Sequence, residues 1–168
     1  PPRSTLFPST RFVRSFTLPG QVRLLAKRYP RKVFDLLLTS VRETLTVLPR
    51  EHLGLQLGVT AVLHTWTREL LFHPHVHCIV TAGGLTLDGA RWVDRKSFLL
   101  PVELMKAFFR GRVLHHLERL REQGEIELGE GAWKKCQRAA YEVLTGAANL
   151  VTSGAAKLVT PGAAKLFL

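Results

Sequence analysis

Two histidines at alternate positions, His75 and His77, anchor the chain's densest run of side chains capable of chemistry, His73-Pro74-His75-Val76-His77. In a strand, alternate side chains share a face, so both imidazoles point the same way, about 7 Å apart along the strand. Two imidazoles at that reach bind one divalent ion once a third ligand arrives from elsewhere. Val76, Cys78 and Val80 fall on the opposite face and bury it. Pro74 cannot donate to a sheet ladder and is read as the start of the strand, with His73 at its edge. His64 ends the preceding apolar run. If the two strands pair antiparallel, its ring approaches the same face as a candidate third ligand, although register is not readable from sequence. The competing reading is a set of hydrogen-bonded histidines without a metal. Three at alternate positions rarely arise from packing alone, because each buried imidazole needs a polar partner. The lack of nearby cysteine ligands counts against a structural zinc site. Trp66 is either a platform on which a base stacks or, as its type favours, a core aromatic.

The elements that must position these residues follow from periodicity. Residues 1–10 read as an irregular lead-in. Phe12–Leu18 is a strand closed by Pro19-Gly20. A helix runs from about Gln21 and breaks at Pro30. A second spans Arg31–Leu48, with Val33, Phe34, Leu37, Leu38, Val41, Leu45 and Leu48 on one stripe, and Pro49 ends it. Leu57–His64 is rich in β-branched residues and reads as a strand. Thr65–Phe72 connects it to the strand His75–Thr81, after which Gly83-Gly84 turns the chain. Asp88-Gly89, between Leu85–Leu87 and Ala90–Val93, signals a hairpin. Pro101 opens a helix to about Gln123, with Leu104, Phe108, Val113, Leu114 and Leu117 on its apolar side, and a last helix covers Ala132–Leu144. TGAANLVT, SGAAKLVT and PGAAKLFL (145–152, 153–160, 161–168) are three copies of one unit. Such short units cannot form a solenoid core, so 145–168 is read as a low-complexity tail after a domain spanning 11–144.

Charge narrows the partner. Lys and Arg number 24 against 13 acidic residues, a formal net charge of +11. Such a surplus favours a polyanion, nucleic acid first and anionic membrane second. No segment has the pattern of a basic amphipathic membrane anchor, and no apolar run suits a bilayer span. Arg23, Lys27, Arg28, Arg91, Arg95 and Lys96 are the candidate phosphate contacts. The two cysteines, Cys78 and Cys136, are far apart and suit a reducing cytoplasm. The opening Pro1-Pro2-Arg3-Ser4 lacks an initiator Met and a signal-peptide pattern, which suggests a fragment.

Residues 57–88, LGVTAVLHTWTRELLFHPHVHCIVTAGGLTLD, resemble the central block of the two-tyrosine rolling-circle transposases of bacterial insertion sequences. FTLP (16–19) is similar to the strand that opens their catalytic domain, and SFLLPVELMKAFFRG (97–111) matches in character. The resemblance covers roughly residues 11 to 123. It implies an α+β fold of the HUH-endonuclease kind, a central antiparallel sheet flanked by helices. It also implies that His75 and His77 hold Mg²⁺ or Mn²⁺ against a scissile phosphate of single-stranded DNA. A tyrosine then attacks the phosphorus, leaving a 5′-phosphotyrosine and a free 3′-hydroxyl.

Two departures accompany that resemblance. The cysteine-rich zinc segment that usually precedes this domain is missing, and the only tyrosines are Tyr29 and Tyr141. Tyr29 precedes the site in a helix and is read as structural. Tyr141, on a late helix and in roughly the right order, is the candidate nucleophile, but AAYEVL does not match the tyrosine motif and no second tyrosine follows. The expectation is a bacterial transposase segment, incomplete toward its C-terminus, that keeps the metal and DNA site but not its tyrosines. The alternatives are a non-catalytic basic DNA-binding module and an unrelated H-x-H metalloenzyme, which the helices before and after the histidine strand disfavour.

Overall fold

A computed structural model of the chain describes residues 11–95 and 100–145, with side chains as far as Ala140. The lead-in 1–10, Lys96 and residues 146–168 of the repeats lie outside the described residues. The element order is β1 (Arg11–Thr17), α1 (Gly20–Arg28), α2 (Pro30–Leu53), β2 (Leu55–Trp66), β3 (Phe72–Thr86), β4 (Trp92–Asp94), α3 (Val102–Glu122) and α4 (Glu130–Thr145). All strand pairings are antiparallel, with β3 central. β2 runs along one edge of β3. β1 pairs with the other edge at His75–Thr81, and β4 takes over that edge at Gly83–Leu85.

Alternation along β3 divides the molecule into two sides. Val76, Cys78 and Val80 enter a core built with Val33, Leu37, Val41 and Leu45 of α2, Met105, Phe109, Val113 and Leu117 of α3, and Trp133 and Cys136 of α4. The described helices therefore pack on that face. On the other face Val13, Val62 and Ile79 remain exposed, in line with the histidines. Within α2 the buried hydroxyls of Ser40 and Thr44 donate to the carbonyls of Leu36 (2.8 Å) and Ser40 (2.7 Å), so neither is left unsatisfied. On α3 the buried stripe is Met105, Phe109, Val113 and Leu117, while Leu104, Phe108 and Leu114 are only partly covered.

Three expectations about punctuation need correction. Pro49 does not end α2. It sits buried inside the helix, which stops at Gly54 in the left-handed conformation (φ 64°). Pro74 does not start β3. The strand begins at Phe72, and Pro74 falls where the β2–β3 register shifts between His64 and Trp66, so its missing N–H removes no paired bond there. Gly83 and Gly84 do not turn the chain but lie inside β3, flanked by Val93 and Asp94 of β4 and by Leu57 of β2. Asp88-Gly89 does make a turn. Gly89, at φ 72°, donates its N–H to the Thr86 carbonyl (2.8 Å).

One ion-pair cluster ties α2 to α3. Glu43 Oε2 accepts from Arg112 Nε (2.6 Å) and lies 2.8 Å from His116 Nε2. Partial burial pushes the Glu43 carboxyl up, but hydrogen bonds and charge from Arg112 and His116 outweigh it, and the net direction is down. Because the folded value lies below the unfolded one, this stabilisation is present above the unfolded carboxylate range and is lost as pH falls through the folded value. Glu43→Gln is therefore expected to cost about 1–2 kcal/mol at neutral pH, and the gap to wild type should close as pH falls through the lowered value of the folded carboxyl. Urea unfolding at a series of pH values measures it. A gap that stays constant with pH would show that the carboxylate charge contributes nothing.

Candidate functional site

The register of β2 against β3 assembles the histidines. Along β3, His75 and His77 alternate with the buried Val76 and Cys78 and project from the helix-free face. β2 places His64 directly opposite His75, and Val62 opposite His77. β1 supplies Thr17 and Ser15 as the neighbours on the other side. The rings of His64 and His77 have centroids 4.7 Å apart, as do those of His75 and His77, and His64 to His75 is 5.4 Å. One ligand atom from each of His64, His75 and His77 lies within 4.8 Å of the others. All three are candidate ligands in the sequence, and only strand pairing brings His64 to the pair.

Hydrogen bonds orient the rings. His75 Nδ1 lies 2.5 Å from the His73 carbonyl, which can only accept, so Nδ1 carries the proton and Nε2 of the neutral ring keeps its lone pair. That Nε2 lies 3.0 Å from Nε2 of His77. Two lone pairs facing each other at that distance repel unless a proton or a cation lies between them. Two nitrogens bound at right angles to one divalent ion at about 2.1 Å would be about 3.0 Å apart. The pair thus fits a shared cation, and His64 completes a three-nitrogen donor set. Burial first, then His75 and His64, hold His77 below the ordinary imidazole range, which keeps it neutral, the form a ligand needs. The His73 ring lies beside His75, with centroids 5.3 Å apart, but is engaged with α1. Its Nδ1 accepts from Arg23 Nη1 of α1 (2.5 Å), and burial, Arg23 and His75 depress it in that order. This Arg23–His73 contact has no signature in the sequence, since the two residues are 50 positions apart.

The remaining candidates separate. Lys27 lies over the Phe72 ring (5.8 Å), at the histidine end of β3. Arg28 is instead engaged with Glu127 and stacks on Tyr29. Arg91 and Arg95 are exposed but flank β4, which pairs with the far end of β3, roughly 25 Å along the strand from His75. Among the described residues, the five basic candidates Arg23, Lys27, Arg28, Arg91 and Arg95 are therefore not united in one patch. Trp66 corrects the reading of it as a core aromatic. It is 56 % exposed, packs edge-on against Phe72 at 5.5 Å, and stands two residues from His64. It ends β2, which lies at an edge of the described sheet. Tyr29 is not within a helix but stands between α1 and α2, where its hydroxyl accepts the backbone N–H of Glu127 in the α3–α4 connection (3.1 Å), a structural tie. The backbone of Tyr141 belongs to α4, whose Trp133 and Cys136 pack in the core on the other side of the sheet from the imidazoles. The buried Cys78 thiol is pushed up to about 12 by desolvation and is no nucleophile. Among the described residues no helix is long and apolar enough to cross a membrane.

Comparison with known proteins bears on the fold and the family. The chain is similar in structure to the conjugative relaxase TrwC in complex with OriT DNA, with a TM-score of 0.51 over 64% of this chain and 44% of that one, at 16% identity. That likeness is one of fold, the HUH-endonuclease type. In sequence the chain is 38% identical over 128 residues to "Putative transposase y4qJ" of Sinorhizobium fredii, covering 74% of this chain and 32% of that protein. It is 40% identical over 74 residues to the transposase for insertion sequence element IS801 of Pseudomonas savastanoi pv. phaseolicola, covering 44% of this chain and 18% of that protein. The chain thus spans about a third of the longer match. Residues 58–153, which include every histidine of the cluster, match the model of the Y2_Tnp family, described as "Putative transposase", and the chain belongs to that two-tyrosine transposase family.

Proposed function

We propose that this chain is the metal- and strand-binding part of a transposase that nicks and transfers single-stranded DNA. One observation carries the reading: three imidazoles from two paired strands converge on a sheet face that no described helix covers. His75 and His77 would hold the ion and His64 would complete the set. A bound divalent cation, Mn²⁺ or Mg²⁺, supplies Lewis-acid polarisation of the scissile phosphate. Nitrogen donors favour Mn²⁺ over Mg²⁺, which prefers oxygen. Arg23, fixed against His73, and Lys27 place positive charge at the same end of the sheet, where the phosphate backbone would run. In the full reaction a tyrosine oxygen displaces the 3′ oxygen from phosphorus. The P–O bond energy is kept in a 5′-phosphotyrosine, the 3′-hydroxyl takes the proton, and reversal on a new strand completes transfer.

The placement of α4 favours a narrower reading for the segment alone, a basic module that binds the ion and the strand but attaches to DNA slowly. In-line positioning of a nucleophile can supply about 7–11 kcal/mol of a barrier, and α4 belongs to the layer beneath the sheet. Incubated with Mn²⁺ and labelled single-stranded DNA, the chain is expected to bind the strand yet give little denaturant-resistant adduct. Rapid adduct formation that disappears in Tyr141→Phe would make Tyr141 the nucleophile. Failure to bind single-stranded DNA at all would defeat the proposed function.

A further inference from the structure

The turn joining β2 to β3 holds a strain that core packing does not explain. It closes tightly, with Thr67 N–H on the Leu71 carbonyl (2.9 Å), Leu70 N–H on the Thr67 carbonyl (3.1 Å) and Leu71 N–H on Thr67 Oγ1 (3.2 Å). Leu70 sits at φ 58°, alone among the described non-glycine residues in having a positive φ. Glycine or asparagine normally takes such a position. Leucine gains nothing from burial there, because Leu70 is 78 % exposed and Leu71 64 %. An ordered turn thus keeps two leucines in water, one of them in a conformation that leucine resists. Strain of this kind concentrates at ligand-contacting segments, and an exposed apolar tip is a contact surface.

The surroundings indicate the partner's chemistry. Trp66 and Phe72 pack at the base of the hairpin, and Lys27 lies over Phe72. Arg68 is exposed on the turn beside Glu69, and Arg23 is anchored to His73 just behind it. An apolar and aromatic tip edged by cations suits a partner that is a polyanion and also offers flat apolar faces, which describes the bases of a nucleic acid strand. The His64–His75 pair lies only about 10 Å back along the hairpin. A strand with a phosphate at the imidazoles would bring neighbouring bases over the tip.

We propose that Leu70 and Leu71 form a wedge that seats an unpaired base of the DNA strand beside the histidine cluster. The proposal rests on the reading of this chain as a single-strand DNA-processing module. Leucine is among the side chains that lodge between bases, and one lost base contact weakens binding by roughly 5- to 150-fold. Leu70→Gly and Leu70→Asn are expected to raise Tm, because both relieve the backbone, while weakening binding to a labelled oligothymidylate by about tenfold. The slope of log affinity against log salt should not change, because no phosphate contact is lost; Lys27→Ala should reduce it. On an abasic strand of the same length, wild type and Leu70→Gly should bind alike. Unchanged affinity of both Leu70 variants for oligothymidylate would remove the wedge and leave strand binding intact. Loss of self-association in the variants, seen by sedimentation, with DNA affinity unchanged would make the tip a contact between copies instead. Absence of any DNA binding by the wild type would overturn the functional reading and the wedge together.

Discussion

Mn²⁺ titrated into the chain is expected to bind at one site, and His77→Ala is expected to weaken that binding by about 100-fold or more. Residues that merely orient a ligand are worth about 10- to 100-fold in metal affinity, so loss of a direct ligand should reach at least the upper end. The variant should stay folded. His77 projects from the open face, and its strand neighbours Val76 and Cys78, which enter the core, are untouched. His75→Ala should behave alike, because the two Nε2 atoms face each other at 3.0 Å. His64→Ala should have the smaller effect, since its ligand atom comes from the edge strand and its side chain is exposed. Mg²⁺ should bind more weakly than Mn²⁺ throughout, because all three donors are nitrogen. Electron paramagnetic resonance of free Mn²⁺ gives the affinities directly, and circular dichroism checks the fold. Equal Mn²⁺ binding by wild type and the His75→Ala/His77→Ala double variant would remove the metal assignment.

Gly83→Ala is expected to cost about 3 kcal/mol or more of stability. A Cβ there would lie 2.4 Å from the Val93 carbonyl oxygen and 3.1 Å from Asp94 Cα, and the residue has φ 147°, a region that is essentially glycine's own. The obstructing atoms are backbone, so relief requires β4 to separate from β3. Gly84→Ala should be comparably severe by a different route, since its Cβ would meet the Gln56 carbonyl oxygen at 2.4 Å and force β2 away. Against a total stability of about 5–15 kcal/mol, either change should lower Tm by roughly 6–12 °C. Gly111→Ala is the contrast. It lies inside α3 with open space around it and should be stabilising by about 0.5–1 kcal/mol. Differential scanning calorimetry of the three variants decides the matter. A Gly83→Ala protein as stable as wild type would mean that β4 does not approach β3 so closely.

These glycines show where reading the sequence stops. A Gly-Gly pair between two apolar runs suggests a turn, because locally that is its commonest use. Here the pair sits in a strand crowded by two neighbours, and the crowding atoms come from Gln56, about 30 residues earlier, and from Val93, about 10 later. Trp66 shows the same limit. Its type suits a core, but it stands exposed at the end of β2. Pro49 suggests a stop, since proline lacks the N–H that continues the ladder, yet it lies buried inside α2, which runs on to Leu53.

What the sequence determined by itself was local. Alternation in His75-Val76-His77-Cys78 puts two imidazoles on one face and apolar groups on the other, whatever the rest of the chain does. Helical spacing marks α2 and α3, and Asp88-Gly89 marks the β3–β4 turn, because turn chemistry is a property of two or three residues. Tertiary structure alone decided that His64 lies opposite His75, that Arg23 reaches His73, and that α4 lies across the sheet from the imidazoles. Each of these depends on register or packing between segments distant in the chain. Register is chosen by the summed burial of whole strands and helices, not by the residues that end up in contact.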